Sequence, residues 1–302
     1  MSGVEKANVF FNQPFFWKCS DYFQNMQIVV AFFDRISYTG RSGGIPLHDN
    51  ERNIGVNYYM KIKAVVLAAG KGTRMMSEAN NLPKVLRQAC GKPLLHYVLN
   101  ALDFIPAEDT VLVGGYMREL VFEAFPAYPH AVQDPQLGTG HAVMCAREHL
   151  KDFDGTVLVC YGDMPLLKKE IYQGLLNFHA ENGAACTMLS GTCEEYLPYG
   201  RVLRDENGDF LRIVEDRDCT PEQKAIRELN VGIYAFDCKA LLASLDEIKD
   251  NNAQHEYYLT DVPAILRSHG QRVAVYTAEL NEQILGVNTP EQLALTEKYL
   301  QQ

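Results

Sequence analysis

The chain has 302 residues, of which 47% are hydrophobic, so it is long enough for one large or two modest globular domains. Its net charge of −10 argues against nonspecific nucleic-acid binding, because the phosphate backbone of a nucleic acid requires a basic surface. The longest apolar runs are too short to span a bilayer, and the N-terminus lacks a signal-peptide layout. The eight cysteines show neither C-x-x-C nor zinc-ligand spacing, so we expect free thiols, a cytoplasmic protein and no membrane partner.

Residues 1–59 differ from the rest of the chain and form an N-terminal extension of unknown role. They hold the only tryptophan, Trp17, within a dense aromatic patch, and Met60 directly precedes the first strong strand pattern. One interpretation is a docking arm whose aromatic side chains pack on the domain surface. The other is a translated upstream stretch with little structure, or a start codon assigned too early. We expect the main domain to occupy residues 60–302.

From residue 61 onward, apolar strand-like runs alternate with amphipathic helical stretches. Strands are predicted at 62–69, 109–114, 156–160, 184–189 and 230–236, and helices at about 94–104, 138–150, 168–180, 237–246, 256–268 and 289–300. This alternation predicts an α/β fold with a doubly wound, mostly parallel, Rossmann-like sheet covered on both faces. The turn 205–208 lies between two short strand patterns and predicts an inserted β-hairpin that shapes a substrate-binding region.

The first predicted strand ends at Gly70 and is followed by a loop of small and basic residues. The loop reads Lys71-Gly72-Thr73-Arg74-Met75, and Leu82-Pro83-Lys84 follows it. Such a loop brings backbone N–H groups and cationic side chains onto a polyphosphate. The glycine spacing fits neither a P-loop nor a dinucleotide fingerprint. A plain strand-to-helix turn is the alternative, but the Thr-Arg-Met ending and the Pro-Lys pair favour phosphate binding.

Gln133 precedes a glycine turn, Gly138-Thr139-Gly140, that opens the predicted helix at 138–150. A glutamine amide offers one donor group and one acceptor, which suits the edge of a uracil. The glycines would let the backbone approach the base. The alternative is a simple helix N-terminus with Thr139 as its cap.

Two further segments offer ligands for a metal ion and for a sugar. Asp163 follows a buried strand within Tyr161-Gly162-Asp163-Met164-Pro165, where it is well placed to bind Mg²⁺; an isolated aspartate there would instead form a turn. An asparagine within 251–261 is a candidate second ligand. In and beside the predicted hairpin, a backbone N–H, a carboxylate and a carboxamide form a set suited to sugar hydroxyls and an N-acetyl group.

In this order and spacing, the segments resemble the uridylyltransferase domain of the bacterial N-acetylglucosamine-1-phosphate uridylyltransferases, over about residues 61–290. The resemblance implies nucleotide binding by Leu67, Ala68, Ala69, Gly70, Gln133, Gly138 and Thr139. It implies catalytic phosphate contacts from Arg74 and Lys84, and Mg²⁺ ligands in Asp163 and Asn252. The sugar-binding residues that it implies are Tyr161, Gly162, Gly200, Glu215 and Asn230.

The activity implied by this resemblance is transfer of UMP from UTP to N-acetylglucosamine 1-phosphate, which yields pyrophosphate and UDP-N-acetylglucosamine, a cell wall precursor. UTP and a sugar 1-phosphate are therefore the expected partners, with Mg²⁺ as cofactor. Two alternatives remain open. One is a nucleotidyltransferase for another sugar or alcohol phosphate. The other is a non-catalytic nucleotide-sugar-binding regulator, against which the joint presence of both basic residues and both metal ligands argues.

The chain departs from the family's pattern at three places. The run 76–81 is longer than usual, and His255 stands where the family commonly has glycine. No hexapeptide repeat of the kind that forms the acetyltransferase domain of bifunctional members follows the segment 284–288. We therefore expect this chain to transfer uridylyl groups and not acetyl groups.

Overall fold

A computed structural model describes residues 60–75, 82–193 and 196–302 of the chain. These residues all belong to one unit, which spans 53–302. The expectations for the extension 1–59 and for the longer run 76–81 lie outside the described residues and stay predictions.

A central sheet carries the fold, and its long strands coincide with apolar stretches of the sequence. In chain order the strands are β1 (Ile62–Ala68), β2 (Gln88–Ala89), β3 (Lys92–Pro93), β4 (Thr110–Gly114), β5 (His130–Val132), β6 (Thr156–Tyr161), β7 (Cys186–Thr192), β8 (Arg201–Arg204), β9 (Phe210–Val214), β10 (Glu228–Asp237) and β11 (Val273–Thr277). Seven of them lie side by side in the order β11-β7-β10-β6-β1-β4-β5. Neighbours in this row run parallel, except that β10 is antiparallel to both β6 and β7.

Helices cover both faces of this sheet. In chain order they are α1 (Leu94–Ala101), α2 (Arg118–Ala124), α3 (Thr139–Cys145), α4 (Arg147–Leu150), α5 (Lys169–Asn182), α6 (Pro221–Lys224), α7 (Cys238–Leu245), α8 (Val262–Ser268) and α9 (Pro290–Leu300). Within the part of the chain that the structure describes, no helix combines the length and apolar character that crossing a bilayer requires.

Alternate residues of β1 point into two separate hydrophobic cores, as the period of two along a strand requires. Ala64 and Val66 pack in a core with residues of α1 and α5, whereas Val65 and Leu67 pack in another with residues of α3, α7 and α8. Because residues 64–68 of β1 are buried on both faces of the sheet, this part of the strand, Ala-Val-Val-Leu-Ala, is a continuous apolar run. The predicted doubly wound, mostly parallel α/β fold is confirmed.

The predicted hairpin is present as β8 and β9, which pair antiparallel and attach to the sheet through β10. Its turn is formed locally. The Asp205 carboxylate accepts hydrogen bonds from the backbone N–H groups of Asn207 and Asp209, at 3.0 and 3.1 Å. Gly208 supplies the positive φ of +83° that such a turn favours.

Three element predictions differ from the structure. The strands β2, β3, β5 and β11 and the helices α2 and α6 were not predicted; β5 and β11 lie at the two ends of the seven-strand row, and β2, β3 and α6 are only two to four residues long. The helix predicted at 138–150 is interrupted at Ala146 between α3 and α4. The helix predicted at 256–268 begins only at Val262, after a short 3₁₀ turn. Its first residues instead pair with the glycine turn, since Tyr257 donates to the Leu137 carbonyl and accepts from Gly140, both at 2.8 Å.

At position 255, where the family commonly has glycine, we expect the histidine to lower the stability of the fold. His255 is exposed and adopts a φ of +53°, in the left-handed region that costs a residue with a Cβ atom about 1 kcal/mol or more. Relief of this strain should exceed the entropy that glycine adds to the unfolded chain. We expect His255→Gly to raise the free energy of unfolding by about 0.5–1 kcal/mol, measured by urea denaturation.

The matched control is Asp250→Gly, at an exposed residue of the same loop that lies outside the positive-φ region. This control should lower the free energy of unfolding, because glycine brings only its entropic cost there. An unchanged or lower stability of His255→Gly would contradict the assignment of strain to this residue.

Candidate active site

The loops that carry the predicted site meet at one edge of the sheet because the strands that precede them are parallel neighbours. Leu67 at the end of β1 is in register with Tyr161 at the end of β6. Gly162 extends this pairing by donating its N–H to the Leu67 carbonyl at 3.0 Å. On the other side of β1, Tyr116 donates its N–H to the Ala69 carbonyl at 3.1 Å. Open α/β sheets bind ligands at this edge.

The loop after β1 is anchored by Met75, which is fully buried. Gly70 is exposed at the end of the strand, and the chain then forms a 3₁₀ turn over Thr73–Met75. Met75 packs in a small apolar cluster with Val287, the neighbour of Asn288. This packing brings together segments distant in sequence, so the Arg74 guanidinium donates to the Asn288 side-chain oxygen at 3.3 Å.

Lys84, Asp163 and Asn288 form the charged centre of the site. Lys84 begins a second 3₁₀ turn, whose other residues, Val85 and Leu86, are buried and hold it in place. The Lys84 ammonium donates to the Asp163 carboxylate and, at 3.1 Å, to the Asn288 side-chain oxygen. The side chains of Lys84 and Asp163 are only 14% and 17% exposed, so water screens this ion pair less than it would a surface pair.

The segment 284–288 that carries Asn288 is held by Tyr199. The Tyr199 hydroxyl donates to the Ile284 carbonyl at 2.9 Å and accepts from the Gly286 N–H at 2.8 Å. Burial raises the pKa of Tyr199 to about 12, so the hydroxyl keeps the proton that it donates. The Val287 N–H then donates to the Asp163 carbonyl at 2.9 Å, which joins the two loops directly.

The predicted base-binding residues surround the start of α3. Gln133 is buried, and its amide nitrogen donates to the Gly138 carbonyl at 2.8 Å. Gly138 has a φ of +107°, and a Cβ atom there would lie 2.6 Å from the Tyr257 carbonyl oxygen, so only glycine fits. The alternative of Thr139 as helix cap is wrong: Gly138 is the N-cap, and the Thr139 hydroxyl accepts from the Leu259 N–H at 3.0 Å.

Tyr161 joins the base-binding residues to the predicted sugar-binding residues. Its side chain hydrogen-bonds with Thr139, and its ring packs against Gly232, where a Cβ atom would collide with the ring. Burial raises the pKa of Tyr161, and the nearby Glu215 and Asp163 carboxylates raise it further, so the phenol is neutral. The two halves of the predicted site are therefore in direct contact.

The three remaining sugar-binding candidates lie around β10. The Asn230 N–H donates to the Gly200 carbonyl at 2.8 Å. Its side-chain oxygen accepts from the Gly232 N–H and the Tyr234 hydroxyl, at 3.3 and 3.0 Å. These two donors fix the orientation of the Asn230 amide. A Glu215 oxygen accepts from the Thr260 hydroxyl at 3.0 Å, and burial raises the pKa of this carboxyl.

The structure does not group Asn252 with Asp163. The Asn252 side chain is used within its own loop: its oxygen accepts from the N–H groups of Gln254 and Glu256 at 3.2 Å, and its nitrogen donates to the Glu256 carbonyl at 2.6 Å. It lines a cavity of about 520 Å³ together with Glu215. Asn288 occupies the place beside Asp163 that we expected for Asn252.

Comparison with known proteins agrees with this geometry. The family described as the MobA-like NTP transferase domain matches residues 64–228, more than half of the chain. The chain belongs to this family. The expectation of a nucleotidyltransferase is therefore confirmed, and enzymes of this kind use a divalent metal ion.

Bacterial relatives match a longer part of the chain. It is 44% identical over 243 residues to the "Bifunctional protein GlmU" of Alkaliphilus metalliredigens, and 44% identical over 241 residues to that of Brevibacillus brevis. The protein of the same name from Clostridioides difficile is 40% identical over 242 residues. Each match covers 80% of this chain and 52% of the relative, so the chain spans about half the length of the curated relatives it matches.

Sequence reasoning missed three polar residues that shape the site: Tyr199, Thr260 and Asn288. Tyr199 is adjacent to the candidate Gly200, Thr260 lies within the segment 251–261, and Asn288 ends the segment 284–288. Asn288 follows the apolar run 284–287 and precedes α9. A polar residue that ends an apolar run is the signal that identified Asp163, and the same signal applies to Asn288.

The attachment of the 284–288 segment through Tyr199 can be tested by removing one oxygen atom. Tyr199→Phe leaves the Gly286 N–H and the Ile284 carbonyl without their partner. We expect it to lower the free energy of unfolding by about 1–3 kcal/mol, measured by thermal or urea denaturation.

Tyr196→Phe is the matched control, since its hydroxyl donates to Asp216 at the surface and the residue is 62% exposed. This control should change stability by less than about 0.5 kcal/mol. Equal effects of the two substitutions would show that Tyr199 does not hold the segment.

Proposed function

We propose that this chain transfers UMP from UTP to N-acetylglucosamine 1-phosphate and releases pyrophosphate. The observation that carries the proposal is the convergence of the Lys84 ammonium on the oxygens of Asp163 and Asn288, with Arg74 on the same Asn288 oxygen. Two cations and two oxygen ligands thus meet at the edge of the sheet where the base and sugar residues also lie. Such a centre suits two phosphate groups that must approach each other.

The chemistry that we infer requires no covalent intermediate and no general base. A sugar phosphate oxygen is already ionised at neutral pH and attacks the α-phosphorus of UTP. As the new P–O bond forms, the bond to the β-phosphate oxygen breaks, and pyrophosphate leaves with that electron pair. The protein has to position the two phosphates and neutralise their crowded negative charge. Lys84 and Arg74 are the residues placed to supply that neutralisation.

The divalent metal ion that we propose is Mg²⁺, held by Asp163 and Asn288. Mg²⁺ prefers oxygen ligands and commonly takes only one or two from the protein, with water and phosphate completing its shell. The two oxygens already converge on one cation, the Lys84 ammonium, so their placement fits a cation site. The described residues form no cluster of three or more His, Cys, Asp or Glu side chains suited to a metal, so substrate phosphates would complete the shell. When bound, the metal lowers the repulsion between the two phosphates.

For the base and the sugar, we propose the roles that the resemblance implies. Gln133 would read the uracil edge, beside Gly138 and Thr139, and the loop 67–70 would hold the nucleotide. Asn230 supports amino-sugar recognition, because its oxygen is engaged by two protein donors and its amide nitrogen remains as a donor for a ligand. Glu215 and the Gly200 backbone would complete the contacts to the sugar, with Tyr161 and Gly162 beside them.

We place this reaction in the cytoplasm. The seven cysteines among the described residues are free thiols, which fits a reducing compartment.

A pyrophosphate-release assay over a panel of nucleoside triphosphates and sugar 1-phosphates tests the proposal. We expect the highest kcat/KM with UTP and N-acetylglucosamine 1-phosphate. CTP should be rejected, because a site that pairs with uracil leaves buried polar groups unpaired when cytosine binds. A higher efficiency with another sugar phosphate would favour the first alternative. Nucleotide-sugar binding without pyrophosphate release from any pair would favour a regulator.

The metal assignment predicts that Asp163→Asn and Asn288→Ala each lower kcat by about 100-fold, the scale for loss of one preorganised electrostatic contact. Both should also raise the Mg²⁺ concentration required for half-maximal activity. Asn252→Ala is the comparison variant, and its Mg²⁺ requirement should equal that of the unmodified chain. A raised requirement in Asn252→Ala but not in Asn288→Ala would restore Asn252 as the ligand. Full activity of Asp163→Asn in EDTA-treated buffer would rule out the site.

A further inference from the structure

Gln133 forms a connected row of side chains with His141 and Cys145, which both belong to α3. The Gln133 amide nitrogen lies 2.8 Å from the Gly138 carbonyl oxygen and 3.2 Å from Nδ1 of His141. On the other side of the imidazole ring, Nε2 lies 4.0 Å from the Cys145 sulfur. Gln133 is only 3% exposed, so its amide has few alternatives to these partners.

The identities of the partners determine where each proton lies. A backbone carbonyl can only accept, so the Gln133 atom beside the Gly138 oxygen must be the NH₂ group. The second hydrogen of that group is then the one available for His141, whose Nδ1 must act as an acceptor. The ring proton therefore lies on Nε2, the nitrogen nearer the Cys145 sulfur. Burial raises the pKa of the Cys145 thiol, so the sulfur keeps its proton.

We propose that His141 is a positioning residue that sets the base specificity of the site by holding the Gln133 amide, so that its carbonyl oxygen is presented to the base. The inference deepens the proposed function, on which it rests, and concerns a residue that does not itself need to touch the nucleotide.

Two partners are required for this effect because of the freedom of a glutamine side chain. The terminal torsion of glutamine is broad, so a single hydrogen bond to Gly138 leaves the amide plane free to turn about that bond. A second bond from the same nitrogen to His141 defines the plane. The carbonyl oxygen Oε1, which has no hydrogen-bond partner among the described residues, then keeps one direction.

A fixed carbonyl oxygen discriminates between pyrimidines. Uracil presents an N3–H donor, which pairs with this oxygen. Cytosine presents an N3 acceptor at the same place, so two lone pairs would face each other and both groups would lose their partners. If the amide were free to turn, its NH₂ group could face cytosine instead, and the preference for uracil would fall. The competing view is that His141, itself a residue of α3, only packs against its neighbours, in which case both nucleotides would be affected equally.

The experiment compares the ratio of kcat/KM for UTP to that for CTP in the full chain. We expect His141→Ala to lower this ratio by about five- to tenfold, the scale of one net hydrogen bond. His141→Asn, whose side-chain oxygen offers an acceptor close to the position of Nδ1, should keep the ratio within about threefold of the unmodified chain. His149→Ala is the control, since this exposed histidine contacts the His130 carbonyl and should leave the ratio unchanged.

A double-mutant cycle separates positioning from packing. If His141 acts through Gln133, then His141→Ala should change the ratio by less than about twofold once Gln133→Ala is present. An unchanged ratio in His141→Ala, with both efficiencies reduced, would overturn the proposal. The same loss of selectivity with and without Gln133 would also overturn it.

Failure of the proposed function would appear differently. In that case the unmodified chain would release no pyrophosphate from UTP with N-acetylglucosamine 1-phosphate. The positioning role of His141 would then be tested by binding: calorimetry on the same variants gives the dissociation constants of UTP and CTP. The preference for UTP over CTP in binding should change in each variant as described for kcat/KM, and the same outcomes would contradict the proposal.

Discussion

The parallel pairing of β1 with β6 is the constraint on which the rest of the site depends. It places Leu67 opposite Tyr161, so the loop 70–75 and the loop of Asp163 leave the sheet at one edge. The bond from Gly162 to the Leu67 carbonyl carries this register one residue beyond the strands. A shift of one residue would move the alternating side chains of β1 into the wrong cores. Burial of β1 on both faces therefore specifies the register, and the register specifies the distance between the loops.

Around that edge, long-range packing assembles a charged centre in a chain whose net charge is −10. Buried apolar residues hold the charged side chains in place. Met75 packs with Val287, which joins the segments of Arg74 and Asn288. Val85 and Leu86 are buried in the turn that begins at Lys84 and fix its position. The cationic side chains are thereby kept close to oxygen ligands without being buried entirely. Their local concentration, rather than the overall charge, makes the site suited to anionic substrates.

The fold was predictable where the local signal was strong, and the errors occur where tertiary contacts compete with it. The long strands contain strong apolar stretches, and the hairpin turn contains its own capping carboxylate in Asp205. The segment 256–258 has a helical pattern, yet Tyr257 pairs with the glycine turn, because those backbone bonds also complete the start of α3. Of the two edge strands that were missed, β5 has only three residues, and the residues of β11 are at most partly buried.

Local sequence was enough to define five strands of the central sheet, the hairpin, the types of chemical group at the strand ends and the family that the chain resembles, because periodicity and turn chemistry act over a few residues. It could not choose Asn288 over Asn252 as the neighbour of Asp163. Asn252 lies in a polar stretch and Asn288 ends an apolar run, but nothing within either segment specifies its distance from Asp163, which follows β6. Lys84 and Asn288 are 204 positions apart, and the packing of Met75 with Val287, the Tyr199 bonds and the bond from Val287 to the Asp163 carbonyl bring their segments together. Side-chain partners at such separations are decided by sheet register and core packing, which exist only in the folded chain.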